Sequence, residues 1–267
     1  MDNIKKKIWD RIQEADMVLV GIGEEFEISP KKMKDDLKYK HFLEKMEVEK
    51  AYRWMLPYVE KLYLKEHQEE RIKKAYANLE KILAGKNYYV VSECMDDCIY
   101  GTDLNNERIV TPCGGYRFVQ CKDNCSKKIE LPDDEILNKI YDCIQNGNEI
   151  NKIDKIERPV CGKCGKDIVF NNVKSDNYAE EGYLEQWNHY MKWLQGTVNR
   201  KLCVLELGVG LQFPTVIRWP FEKIVFLNQK AYLFRIHNKL YQLTEEIKDR
   251  GCAIKENSTD FLINWFV

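Results

Sequence analysis

Four cysteines in two close pairs constrain this chain more than any other feature. Three residues separate Cys121 from Cys125, and two separate Cys161 from Cys164 in Cys-Gly-Lys-Cys-Gly. Pairs at these spacings bring four thiolates to one tetrahedral zinc ion. Four sulfur ligands leave no open position on the metal, so the expected zinc is structural. Each pair is flanked by Gly, Asn, Asp or Lys, as suits metal-binding turns better than four unrelated buried thiols. The other cysteines, Cys98, Cys143, Cys203 and Cys252 among them, read as core residues.

The pairs are set inside a chain of alternating strands and helices. Met17-Val18-Leu19-Val20 is a short apolar run leading into Gly21-Ile22-Gly23. Leu202 to Leu207 is a second, leading into Gly208-Val209-Gly210. Tyr88 to Ser92 reads as another strand, Ile224 to Leu227 as a fourth, and Cys252 to Ile254 as a last one. Ile4, Ile8, Trp9 and Ile12 recur at helical spacing. Helices are also expected over Tyr183–Thr197, Asn238–Asp249 and Thr259–Trp265. Lys31 to Gly85 is charged and helical in pattern, with two or three helices closed by Gly85 as a C-terminal cap. Arg108 to Gln120 reads as extended, and an acidic helix-like stretch, Asp133 to Asn146, lies between the cysteine pairs.

This alternation predicts an α/β fold: a Rossmann-like, doubly wound parallel sheet with a small zinc-ribbon module and a helical insert. The expected organisation places the sheet domain at 1–120 and 173–267, the helical insert at about 31–85, and the zinc module at 121–172.

Composition excludes several function classes. The 267 residues carry a formal net charge of −1, so no global field draws the chain to nucleic acid or to an anionic membrane. No run approaches the ~18 apolar residues of a membrane span. No signal peptide is visible, which points to a reducing, cytoplasmic setting in which cysteines are ligands or core residues rather than disulfides.

Ligands of doubly wound sheets bind beyond the carboxyl ends of the strands. The loops at Gly21, Ser92, Gly208 and Asn228 are therefore the expected pocket wall. Gly21, Gly23, Gly208 and Gly210 allow tight turns and close approach of a phosphate to backbone amides. Ser92-Glu93-Cys94-Met95-Asp96-Asp97 supplies polar and acidic groups after its strand. His41, His67, His189 and His237 neighbour none of these motifs, and no Ser-His-Asp or Cys-His arrangement is legible.

Taken in order, these segments resemble the sirtuin family of NAD-dependent enzymes. Ala15 to Gly23 is similar to its first strand and Gly-Ala-Gly turn. Val91 to Asp96 stands where the family has Thr-Gln-Asn-Ile-Asp, and Pro112-Cys113-Gly114 where it has a catalytic His-Gly. The cysteine pairs match its zinc ribbon, Leu205 to Gly210 stands at its Gly-Thr-Ser, and Leu227-Asn228 at its Ile-Asn. Phe213 to Phe221 resembles the divergent microbial branch that includes macrodomain-linked, ADP-ribosylating sirtuins.

The resemblance implies NAD as substrate, bound by Gly21, Gly23, Ser92, Asp96, Gly208, Gly210 and Asn228, with Asp96 holding the nicotinamide amide. It also implies a structural zinc and a protein partner carrying either a modified lysine or an ADP-ribose acceptor. The departures bear on chemistry. Cys113 replaces the family's general base, Cys94 its Asn and Glu93 its Gln, while Glu24-Glu25-Phe26-Glu27-Ile28 replaces the Ser- and Arg-bearing segment. A thiol with an ordinary pKa of about 8.5 is a poor base at neutral pH. The expected activity is therefore transfer of ADP-ribose to a protein or other acceptor, with Asp96, Glu93 and Cys113 as candidate catalytic residues. In it, Glu93 stabilises the cationic centre or orients the acceptor. The alternatives are NAD-dependent protein-lysine deacylation, with Cys113 working as a thiolate, and an inactive NAD or ADP-ribose sensor.

Overall fold

A computed structural model describes residues 3–146 and 152–266. The chain divides into two compact units, one made of Met1–Glu27, Glu69–Cys113 and Tyr183–Val267, the other of Ile28–Gln68 and Gly114–Gly182.

The first unit is built on six strands: β1 (Met17–Ile22), β2 (Tyr88–Ser92), β3 (Ile109–Val110), β7 (Leu202–Leu207), β8 (Ala231–Ile236) and β9 (Gly251–Ile254). They lie in the order β3-β2-β1-β7-β8-β9 and every pairing is parallel. Strands β1 and β7 are buried along their whole length, which explains their uninterrupted apolar runs. After β1 the chain builds outward to β2 and β3, then returns to place β7 on β1's other side. The direction of winding thus reverses between β1 and β7, the point where doubly wound sheets place ligands.

Helices α6 (Leu184–Gln195) and α7 (Arg218–Leu227) flank a core of Leu19, Val91, Tyr190, Val204, Phe221 and Leu233. Helix α1 (Asn3–Glu14) buries Ile8 and Ile12. Helices α4 (Glu70–Leu83) and α8 (Ser258–Ile263) are tied together by the Asn78 amide, which donates to the Leu262 carbonyl at 2.8 Å. Gly85 follows α4 at φ +73°, the left-handed conformation that ends a helix without a Cβ penalty.

Two expectations for this unit are overturned. Ile224 to Leu227 is the end of α7, and the fourth strand is Ala231–Ile236. Asn238 to Asp249 is not a helix; beyond a turn it has only a short 3-10 segment, Lys248–Arg250. Arginine side chains capture the carbonyls a helix there would use. Arg218 donates to Leu240 O at 2.9 Å and Arg235 to Gln242 O at 2.6 Å.

The second unit pairs β4 (Gly114–Cys121) with β5 (Ile129–Glu130) and β6 (Ile168–Asn172) as an antiparallel sheet. Helices α2 (Leu37–Val48), α3 (Leu56–Glu66) and α5 (Asp134–Gln145) belong to it. Asp36 and Asp133 cap α2 and α5, each side chain accepting from a backbone N–H two residues on. Tyr58 and Tyr116 pack edge-on against Phe170, and the Asn171 amide donates to Gln120 Oε1 at 2.6 Å. The expected helical insert at 31–85 is divided: its segment up to Gln68 lies in this unit with the cysteine pairs, and α4 lies with the parallel sheet. Residues 147–151 of the expected zinc module lie outside the described residues.

Candidate functional site

The carboxyl edge of the parallel sheet carries four converging loops, after β1, β2, β7 and β8. The β1 and β7 loops touch directly. Gly23 N donates to Leu207 O at 3.0 Å, and Glu25 N to Gly208 O at 3.3 Å. Glycine is required at these positions. A Cβ on Gly23 would lie 2.5 Å from the Val209 Cα, and Gly208 adopts φ +63°. Gly21 has a different task. It lies inside β1, where a Cβ would fall 2.5 Å from Ile217 and 2.8 Å from Phe221, so its bareness lets the segment entering α7 pack on the sheet.

The acidic segment after Gly23 is folded onto the same edge. Glu25 is almost fully buried and accepts backbone N–H bonds from Asn238 at 2.8 Å and Ser258 at 2.7 Å. Glu24 packs over Gly210, where any side chain would collide with its carboxylate. Glu24 Oε1 lies 3.3 Å from His237 Nε2. His237 Nδ1 receives the backbone N–H groups of Lys239 at 2.9 Å and Leu240 at 3.1 Å, which assigns the ring proton to Nε2. His237 therefore adjoins the motifs, contrary to expectation; misplacing β8 by one element hid it.

Loop 93–97 continues the edge from β2. Ser92 is fully buried and its Oγ accepts from Cys94 N at 3.2 Å. The Cys94 thiol donates to Gly23 O at 3.3 Å, fastening this loop to the β1 loop. Asp96 is buried and accepts from Cys98 N at 3.0 Å. Glu93 is 7 % exposed, and its Oε1 has no hydrogen-bond partner among the described residues. Burial, reinforced by the negative charge of Glu206, raises the Glu93 pKa from 4.5 to about 8 despite the opposing Arg218. The side chain is mostly protonated at neutral pH. A neutral carboxyl stabilises a cation less than an ionised one does.

Cys113 follows β3 and is 1 % exposed. Burial first, then the carboxylates of Glu93 and Glu27, pushes its thiol far above the ordinary value. It is a neutral thiol at physiological pH, and the expectation of a thiolate base at this position is not met.

Beneath these loops lies a charge network that the sequence reading missed. Glu206, fully buried on β7, takes two hydrogen bonds from Arg235 on β8 at 2.7 and 2.9 Å. Arg218 stands 3.4 Å from Glu206, and Arg235 also reaches Glu222 at 2.8 Å. Arg218 donates to the Val209 carbonyl as well, which anchors the β7 loop. Glu206 and Arg235 are register partners, so a lone charge in each of two apolar runs was the available signal.

Asn228 does not join the site. It ends α7 at the opposite, amino edge of the sheet, where its amide donates to Thr197 O at 3.0 Å and Arg200 O at 3.1 Å. The asparagine at the carboxyl edge is Asn238, directly after β8 and His237.

In the second unit the sulfurs of Cys121, Cys125, Cys161 and Cys164 lie within 4.8 Å of one another. Cys121 and Cys164 are 3.4 Å apart, and Cys125 and Cys161 3.6 Å. A tetrahedron with zinc–sulfur bonds of ~2.3 Å separates its sulfurs by ~3.8 Å. The residues therefore fit zinc. Gly165, at φ +71°, turns the second pair so that Gly165 N returns to Cys161 O at 2.7 Å.

No family model matches the chain. It is similar to solved sirtuin structures over nearly its whole length. One, determined for the structural basis of sirtuin substrate affinity, aligns at TM-score 0.55 and 13% identity, covering 100% of this chain and 98% of that one. A mutant Sir2 homologue in complex with 2'-O-acetyl ADP-ribose aligns at 0.57 with 13% identity, covering 99% and 95%. This chain has the sirtuin fold. In sequence the chain is similar to a protein ADP-ribosyltransferase of Staphylococcus aureus, 22% identical over 195 residues, 71% of this chain and 59% of that protein. A probable bifunctional ADP-ribose hydrolase/ADP-ribosyltransferase of Fusarium oxysporum is 26% identical over 143 residues, 53% of this chain and 24% of that protein. The chain thus spans less than two thirds of the curated relatives it matches. Among the described residues no helix is long and apolar enough to cross a membrane.

Proposed function

We propose that this sirtuin-fold protein consumes NAD and transfers its ADP-ribose to a protein or other nucleophile. The observation that carries the reading is Glu93, a buried carboxyl with an unpartnered oxygen whose pKa lies near physiological pH, next to a Cys113 held as a neutral thiol. A base is most effective when its pKa is close to the working pH. In the proposed reaction the bond between nicotinamide and ribose breaks, its electron pair leaving with neutral nicotinamide. The acceptor's lone pair then closes on the ribose carbon, and its proton passes to the ionised fraction of Glu93. Asp96 orients the nicotinamide amide, and the loops after β1, β2 and β7 form the wall that the substrate meets. The names of the curated relatives support this choice over lysine deacylation, as does the absence of a competent base at Cys113. Four cysteines in the second unit that would hold zinc as thiolates suit a reducing, cytoplasmic compartment.

The test is nicotinamide release from NAD by purified, zinc-loaded protein, with and without acyl-lysine peptide. Release without peptide that is lost in Asp96→Asn is expected. Release that strictly requires acyl-peptide would instead establish deacylation.

A further inference from the structure

The amino edge of the parallel sheet, opposite the candidate site, holds a cavity of about 270 Å³ within the first unit. Its floor is Leu202 and Cys203 at the start of β7 and Tyr232 at the start of β8, all buried or half-buried. Its rim is charged: Arg11 and Glu14 from the end of α1, Lys201 before β7 and Lys230 before β8. Three cations against one carboxylate leave the rim with two net positive charges, in a chain whose formal net charge is −1.

The cations are placed rather than scattered. Lys7 and Arg11, one helical turn apart, both lie over the Tyr232 ring, at 5.0 and 4.7 Å from its centroid, and Lys7 also donates to the Tyr232 hydroxyl at 2.8 Å. Lys230 donates to Asn199 O at 3.0 Å. Lys86 donates to Gln13 O at 2.9 Å, which offsets the carbonyl end of α1. Asp16, the acid beside Lys201, already accepts the Lys201 backbone N–H at 2.9 Å. Among the described residues the Arg11 guanidinium and the Lys201 ammonium make no hydrogen bond or salt bridge. Their donors are therefore uncommitted, and a guanidinium held on a ring still offers its N–H edge to a bidentate acceptor. The floor adds no charge of its own: burial pushes the Cys203 thiol up to about 12, against the opposing pull of Arg11 and Lys86.

We infer that this cavity binds the phosphate monoester of a small, partly apolar metabolite. A phosphate monoester is close to a dianion at neutral pH, matching the net charge of the rim, and Arg11 and Lys201 supply donors to its oxygens. Leu202, Cys203 and Tyr232 receive the apolar body. The volume lies just below that of pockets for drug-sized ligands, which suits a compact metabolite and not a dinucleotide. The inference is independent of the dinucleotide reading, because the cavity lies at the other edge of the sheet.

The experiment titrates the full chain with phenyl phosphate, phenyl sulfate and inorganic phosphate by isothermal calorimetry at fixed ionic strength. Phenyl phosphate is expected to bind more tightly than phenyl sulfate, which carries one charge fewer, and than inorganic phosphate, which has no apolar body. Arg11→Gln and Lys201→Gln, both at exposed positions, are each expected to weaken phenyl phosphate by about tenfold or more. Lys6→Gln, which removes an exposed cation of α1 outside the cavity, is expected to leave it unchanged. No binding by the wild type, no loss in Arg11→Gln, or an equal loss in Lys6→Gln would overturn the inference and leave the NAD reading standing. Tighter binding of a phosphotyrosine peptide than of phenyl phosphate would also overturn it, by making the ligand a modified protein.

Discussion

Replacing Glu93 by Gln is expected to stabilise the protein, and by an amount that grows with pH. The native carboxyl titrates near 8 against an ordinary value of 4.5, because burial and the Glu206 charge disfavour its ionised form. Between those two values the native state holds a proton that the unfolded state has released. Wild-type stability therefore falls as pH rises from about 4.5 and levels off above about 8. One pKa unit corresponds to about 1.4 kcal/mol, so the full penalty has an upper bound of about 5 kcal/mol. Relaxation and water entry reduce it, leaving an expected 2–4 kcal/mol, roughly. Glutamine keeps the shape and cannot ionise. The stability difference between Glu93→Gln and wild type is expected to rise by about 2–4 kcal/mol between pH 5 and pH 8.5. Other titrating groups cancel in that difference. Urea unfolding followed by tryptophan fluorescence is suited to this, since Trp9, Trp187, Trp193, Trp219 and Trp265 belong to the unit that holds Glu93 and only Trp54 to the other. A difference that stays flat with pH, or that shrinks as pH rises, would refute the reasoning and place Glu93 in contact with water.

Four further outcomes are expected. Nicotinamide release should rise with pH along a limb with an apparent pKa near 8, and Glu93→Gln should remove that limb. Gly208→Ala should cost about 2 kcal/mol or more in unfolding titrations, because φ is +63° and the new methyl would meet the Glu25 Cβ at 2.6 Å. Elemental analysis should find one zinc for each set of four cysteines, and Cys161→Ser should abolish most of it and destabilise the second unit. Cys94 and Cys113, buried and neutral, should be alkylated by iodoacetamide at pH 8 at least ~10-fold more slowly in the native than in the unfolded protein, read by peptide mass spectrometry.

The sheet's inner strands were legible because burial on both faces writes them as continuous apolar runs, Met17–Ile22 and Leu202–Leu207. The cysteine pairs were legible because a metal fixes ligand spacing within the chain. Strand β8 was not, since its buried Arg235 reads as a surface residue until its partner Glu206 is known. The apolar end of α7, Ile224 to Leu227, competed with it for the same place. That single displacement moved the expected asparagine to Asn228 and hid His237 and Asn238. The loops around Glu93 and Cys113 were found by their place after strands, whereas their protonation states required burial and neighbouring charges that no local pattern carries. The division of 31–85 between the two units likewise depends on long-range packing, because helical periodicity is the same in both parts.

The most direct measurement is transfer of label from biotin-tagged NAD to protein in a cell extract supplied with the purified protein. Labelled bands that require the wild-type protein and disappear with Asp96→Asn are the expected result. Nicotinamide release confined to acyl-lysine peptide, with no labelled protein, would contradict ADP-ribosyl transfer as the activity of this chain.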